Sequence, residues 1–349
     1  MIAQPRKTMD RLFFYPKVDF TQVESPNPYI VNMEGALSAH FKIVNKKENR
    51  GGVLEFFENL FRTDIYFFNW VENLPIYRFG KLQVMFFILF TWLAKLMNKK
   101  MIWVLHNKYS HSTDKNFWTD WMYKVLIKSS DLIITHSSEG IDFVANVSKG
   151  MEGKVHYLPH PARPRIASVK SSIKEYDLLI WGALHPYKGV ADFLEFINKN
   201  LVQEDKITVL IIGKCFDQDY LIRLNKSLNE KITHINEFRT LEEISSFAQK
   251  SKYVFFPYNS PSLLSSGTLM DSMRMDARIL GPNIGSFKDL SYMGVIENYS
   301  EFEDIQQIIT AYQDLRKSEI AQLRVFFREN SWKNFATNLN VIYRGLRNN

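Results

Sequence analysis

The chain has 349 residues, 46% of them hydrophobic and 14% aromatic. That composition excludes a disordered protein, and the length suits two domains of about 150–200 residues each. The single cysteine, Cys215, excludes an internal disulfide and a thiolate metal cluster and suits a reducing compartment. The net charge of +7 comes without zinc-ligand spacing, an RNP-like strand or a long Arg/Lys block, which excludes the common nucleic-acid modules and leaves a phosphate-bearing substrate and anionic lipid as partners.

Met1 to Asp10 has no apolar core, so no signal peptide is expected. Arg11 to Tyr15 reads as a first buried strand ended by Pro16, and a helix follows from Asn27 to about Ala39 with Pro28 in its first turn. Further strands are expected at 40–44, 65–68, 101–105, 132–135 and 155–158, with a helix at 117–127. The apolar segment Lys81 to Leu96 is shorter than the roughly 20 residues of a membrane span, and Gln83 and Lys95 interrupt it. It reads as a core helix or as one lying in a membrane interface. Pro159, Pro161 and Pro164, with Arg163 and Arg165, read as a stiff basic linker. The pattern then restarts, with strands at 178–181, 207–212, 232–235, 253–256 and 278–280, a helix at 190–198, and final helices running to Leu346. Near-continuous apolar strands alternating with helices predict parallel sheets covered on both faces, and a cleft between the two halves.

Two loops carry candidate chemistry. Ser265-Ser266-Gly267 joins a strand to the helix beginning Thr268-Leu269-Met270-Asp271. A small-residue loop at a helix N-terminus suits a phosphate, and Gly267 would let the backbone approach it. Thr268 to Asp271 also reads as a capping box, the alternative role for Asp271. Gly182 to Gly189 likewise follows a strand and opens a helix, and on its own Lys188 reads first as a solvated surface lysine, with a phosphate ligand as the alternative. There is no Walker-type phosphate loop, no persuasive Ser-His-Asp or Cys-His order, and no third ligand beside His106 and His111 to hold a metal.

The 265–285 segment resembles the donor-binding region of the family-four-like glycosyltransferases of the GT-B fold, in the bacterial polysaccharide branch. There an SG-S/T-LL loop, then a strand, a Pro and a Gly, receives the diphosphate of a nucleotide-sugar. The resemblance implies that Ser265, Ser266, Gly267, Thr268 and Asp271 bind the donor, together with Gly182, His185, Lys188 and Gly189. Two positions depart from the family pattern. Its paired glutamates fall on Leu263 and Asp271, and its early Arg falls on Ala183 or His185. The strand end Trp103-Val104-Leu105-His106-Asn107 resembles a WxLHN segment that places its His beside the donor sugar. Trp70-Val71-Glu72 resembles a W-x-E segment on the acceptor side, where Lys108, His111 and Asp114 are also expected.

The implied architecture is α/β, GT-B, with two Rossmann-like domains facing across a cleft. Residues 1–160 would form the acceptor-side domain, 161–330 the donor domain, and 331–349 a helix crossing back. The implied function is transfer of a hexosyl group from a nucleotide-diphosphate-sugar to a glycan acceptor, lipid-linked, in surface polysaccharide synthesis. Retention of configuration is implied, with His106 and Lys188 catalytic and with no metal or cofactor beyond the donor. Alternatives are an inactive GT-B binding or assembly protein and a GT-B epimerase or phosphorylase. A lipid-linked acceptor implies a cytoplasmic protein, peripheral at the inner membrane face. Lys46, Lys47, Arg50, Lys95, Lys99 and Lys100 would attract anionic lipid while Trp92 dips into the interface.

Overall fold

A computed structural model of the chain describes residues 9–17, 28–45, 52–109, 117–166, 173–200 and 207–348. His111, Asp114, Lys46, Lys47 and Arg50 lie outside the described residues. The chain divides into two compact units, Met1–Pro159 with Trp332–Asn349, and His160–Ser331.

The first unit holds β1 (Arg11–Tyr15), α1 (Pro28–Leu37), β2 (Lys42–Ile43), α2 (Leu54–Glu58), β3 (Ile65–Asn69), α3 (Gly80–Leu96), β4 (Lys100–Leu105), α4 (Phe117–Ser129), β5 (Leu132–Thr135), α5 (Glu139–Val147) and β6 (Val155–Tyr157). Its six strands are all parallel, in the order β2-β1-β3-β4-β5-β6. Period-two alternation sends Leu12, Phe14 and Phe67 to one face and Phe13, Tyr66 and Phe68 to the other. The first set packs with Tyr29, Ile30 and Met33 of α1. The second meets the rings of Phe56, Phe87 and Phe90 on α2 and α3. Both faces are buried, which is why these strands read as unbroken apolar runs. The expected strand at 40–44 shrinks to Lys42–Ile43, an edge position that needs little pairing.

The second unit holds β7 (Tyr176–Trp181), α6 (Val190–Asn200), β8 (Val209–Ile212), α7 (Gln218–Asn225), β9 (Ile232–Ile235), α8 (Leu241–Gln249), β10 (Ser251–Phe255), α9 (Gly267–Met273), β11 (Arg278–Pro282), α10 (Gly285–Tyr292), β12 (Glu297–Tyr299), α11 (Asp304–Thr310) and α12 (Lys317–Glu329). Its strands are also parallel, in the order β12-β11-β10-β7-β8-β9. Leu178, Ile180, Val209, Ile211 and Phe255 pack on one side of the sheet. Leu179, Leu210, Ile212, Val254 and Ile279 pack on the other. The strand order reverses between β7 and β10, and in open α/β sheets ligands bind outside the strand carboxyl ends at such a reversal.

The chain closes with α13 (Trp332–Asn348), whose Phe335, Ala336, Leu339 and Tyr343 join the first unit's core beside α1. Arg163 and Arg165, read from sequence as part of a basic linker, are fixed inside the second unit by Asp271 and Asp276.

Candidate functional site

In the second unit, the turn after β7 and the loop after β10 meet at the sheet's reversal. Gly182 has φ +97°, and a Cβ there would lie 3.5 Å from Lys188 Nζ and 3.7 Å from Thr268 Oγ1. The glycine therefore keeps open the space that the ammonium and the threonine border. Gly189, at φ +67°, lies so close to the β10 exit that a Cβ would stand 2.1 Å from the Pro257 carbonyl oxygen. No side chain fits there, and the contact fixes the short 3-10 turn Pro186–Lys188 that carries the lysine.

Lys188 is only 6% exposed, yet among the described residues it makes no ion pair. Its Nζ lies 5.9 Å from the Tyr258 ring centroid. Burial holds its pKa below the ordinary lysine value, with Tyr187 opposing the shift. An ammonium taken from water without a counter-charge is costly unless an anion joins it. Burial first, and then Lys188, lower the His185 pKa, and the ring stacks on Tyr187 at 5.6 Å. Both effects disfavour the charged form of His185.

The Ser266 hydroxyl, 3.3 Å from the Tyr258 hydroxyl, caps α9 by accepting from the Leu269 amide. The capping box expected from Thr268 to Asp271 does not form, because the helix begins two residues earlier, at Gly267, and Ser266 takes the cap. Asp271 instead accepts from Arg163 at 2.6 Å and Arg274 at 3.2 Å. The Ser265 Oγ is buried with no hydrogen-bond partner among the described residues, and the Cα of Gly267 faces open space. Leu263 is a buried core residue, not a glutamate as the resemblance implied for that position. Cys215 is buried, donates to the Asp217 carbonyl at 3.3 Å, and has its thiol pKa raised by burial.

In the first unit, Trp70 and His106 leave the carboxyl ends of neighbouring strands β3 and β4. Trp70 adopts a left-handed backbone, φ +49°, uncommon outside glycine. Its indole stacks on the His106 ring, with centroids 4.2 Å apart and planes 17° from parallel. Asn69 donates its amide to the Tyr15 carbonyl, so its Oδ1 faces His106 Nε2 at 3.1 Å. The carbonyl can only accept, so Nε2 carries the proton. Tyr29 packs edge-on against Trp70, His106 and Trp332. Its hydroxyl meets His136 Nε2 at 2.8 Å, while His136 Nδ1 lies 2.8 Å from the Leu158 carbonyl.

Glu72 is 2% exposed, and its carboxylate accepts from the Trp103 indole at 3.0 Å. Burial pushes its pKa up to about 7. Lys108 pairs with Glu139 at 2.6 Å.

The structure thus brings Gly182, Lys188, Gly189, Ser266 and Thr268 to one place, and Trp70 with His106 to another. Glu72 and Lys108 are engaged separately, with Trp103 and Glu139. Sequence reasoning missed Tyr29, Asn69, His136 and Tyr258. His136 follows β5 as His106 follows β4, a signal that was available. Among the described residues no group of three His, Cys, Asp or Glu could hold a metal ion.

No family model and no curated protein matches the chain. Solved structures do. HepE of Anabaena in complex with UDP-glucose superposes with a TM-score of 0.61 at 13% identity, covering 98% of this chain and 99% of that one. A glycosyltransferase from Rickettsia africae gives 0.65 at 12% identity, covering 98% and 100%. The N-terminal domain of a Candida albicans trehalose-6-phosphate phosphatase gives 0.64 at 8% identity, covering 99% and 98%. At such identities the likeness is one of fold: two parallel six-stranded sheets with their helices, as in GT-B glycosyltransferases.

Proposed function

We propose that the protein is a glycosyltransferase that moves a hexosyl group from a nucleotide-diphosphate-sugar to a glycan acceptor. The observation that carries this reading is Lys188, buried and without an ion-pair partner among the described residues, at the strand-order reversal of the second unit. Support comes from HepE, whose solved complex holds UDP-glucose in a chain of the same fold. When the glycosidic bond to the donor phosphate breaks, negative charge develops on the departing diphosphate. A pre-placed ammonium, with Thr268 beside it, stabilises that charge without reorganising. The amides of Ser266 and Gly267 would add to it, and Ser265, His185 and Asp271 would complete the donor contacts. His106 is assigned a hydrogen bond to the sugar or acceptor, with Trp70, Glu72 and Lys108 on the acceptor side.

The finer reading is a family-four-like enzyme of bacterial surface polysaccharide synthesis, retaining and metal-independent, acting on a lipid-linked acceptor at the inner membrane face. A second reading, a binding protein without turnover, is favoured by the buried Leu263 and by His185, whose charged form burial disfavours. Incubation with a panel of nucleotide-sugars separates the two. Release of nucleoside diphosphate together with a new glycoside supports the transferase; binding of nucleotide-sugar without release supports the binding protein. Formation of an epimer, or consumption of phosphate, would point to epimerase or phosphorylase chemistry.

A further inference from the structure

Helix α3 buries Val84, Phe87, Phe90 and Ala94 and turns a second apolar face outward. Leu82, Met85, Leu89, Trp92 and Leu96 recur at alternating spacings of three and four, and all are exposed, Trp92 at 60% and Leu96 at 72%. Phe86 widens the stripe, and Ile76, Tyr77 and Phe79 extend the exposed apolar surface before the helix. Single exposed apolar side chains are ordinary, but a continuous stripe from Leu82 to Leu96, about 21 Å of helix, is a contact surface.

Charge narrows what covers it: α2, packed on α3 with Phe57 against Phe86, carries Glu55 and Glu58, while the lysines lie on α3 itself and on α4. The helix carries Lys81 and Lys95 and no carboxylate, and Lys99 follows. Helix α4, packed beside it, exposes Phe117, Lys124 and Lys128, with Asp120 as its one acidic residue. A second copy laid on the stripe would bring Lys81 onto Lys95 when antiparallel and onto Lys81 when parallel. Neither arrangement offers a neutralising carboxylate on α3. An anionic bilayer satisfies both features at once, with apolar side chains at the acyl boundary and lysines reaching the headgroups. No helix among the described residues is long and apolar enough to cross a membrane, so α3 would lie in the plane.

We propose that the Leu82-Met85-Leu89-Trp92-Leu96 face of α3, with Lys81 and Lys95, seats the first unit on an anionic lipid surface. The inference gives a location to the lipid-linked acceptor proposed above, but its test uses no sugar. The full chain is sedimented with vesicles of phosphatidylcholine alone and with phosphatidylglycerol added, at low and high salt. Binding is expected only to the anionic vesicles, with a blue shift of tryptophan emission. A Leu89→Glu/Leu96→Glu variant should lose binding while keeping its circular dichroism and its nucleoside diphosphate affinity. Lys81→Gln and Lys95→Gln should each weaken binding about fivefold. Equal binding by the Leu89→Glu/Leu96→Glu variant, or no binding at low salt, would overturn the proposal. So would a wild-type dimer in sedimentation equilibrium that the glutamates dissociate, which would assign the face to a second copy. Because vesicle binding is read without donor or acceptor, failure of the transferase reading leaves this result intact, and the reverse.

Discussion

Glu72 offers a test of the first unit that needs no ligand. Its carboxyl is buried against the Trp103 indole and titrates at about 7 rather than at its ordinary 4.5. The folded state therefore holds this proton more tightly than the unfolded state. The sign follows from linkage: the favourable contribution is fully present below about 4.5 and is lost as pH rises through about 7. A displacement of that size corresponds to roughly 3 kcal/mol between the two limits, as an order of magnitude. Glu72→Gln keeps the acceptor for Trp103 and removes the charge. Relative to wild type, the variant should be near neutral at pH 4.5 and more stable by up to roughly 3 kcal/mol at pH 8. Urea unfolding followed by tryptophan emission reads this out, because every tryptophan except Trp181 belongs to the first unit. A stability difference that is the same at both pH values would refute the reasoning.

Three further outcomes are expected. His106→Ala removes the ring stacked on Trp70 and should depress turnover by about 10²-fold or more with nucleoside diphosphate affinity nearly unchanged; full activity in a kinetic assay would make His106 a packing residue. Gly189→Ala must hold a left-handed backbone and move a Cβ off the Pro257 carbonyl, so urea unfolding should show a loss of about 1–3 kcal/mol, with weaker diphosphate affinity by calorimetry. EDTA should leave turnover largely intact, and strict dependence on Mg²⁺ or Mn²⁺ would show the leaving-group chemistry to be different.

The parallel α/β architecture was legible because strands buried on both faces write themselves as runs such as Leu12-Phe13-Phe14 and Leu178-Leu179-Ile180. Where burial is partial the signal fades. The edge strand Glu297-Asn298-Tyr299 and the helices around it carry too few apolar residues to declare themselves. Local competition also hid detail: Thr268 to Asp271 reads as a capping box, yet Ser266 takes the cap, and Leu269 and Met270 of the same helix pack into the core. The candidate site was legible where it rests on local turns, as at Gly182 and Gly189. Its electrostatics were not. A lysine in a loop reads as solvated, whereas Lys188 is buried near Tyr258 and Thr268, which are distant in sequence. Arg163 finds Asp271 across 108 residues, a pairing no spacing rule reveals.

Calorimetric titration of a nucleoside diphosphate into wild type and Lys188→Met tests the central claim most directly. Methionine keeps most of the buried volume and removes the buried charge, which has no ion-pair partner among the described residues, so the unliganded variant should be no less stable than wild type. Its affinity should fall about ten- to a hundredfold, the loss of one charged hydrogen bond worth roughly 1.5–3 kcal/mol. Equal affinity in the two proteins would contradict the account and return Lys188 to a packing role.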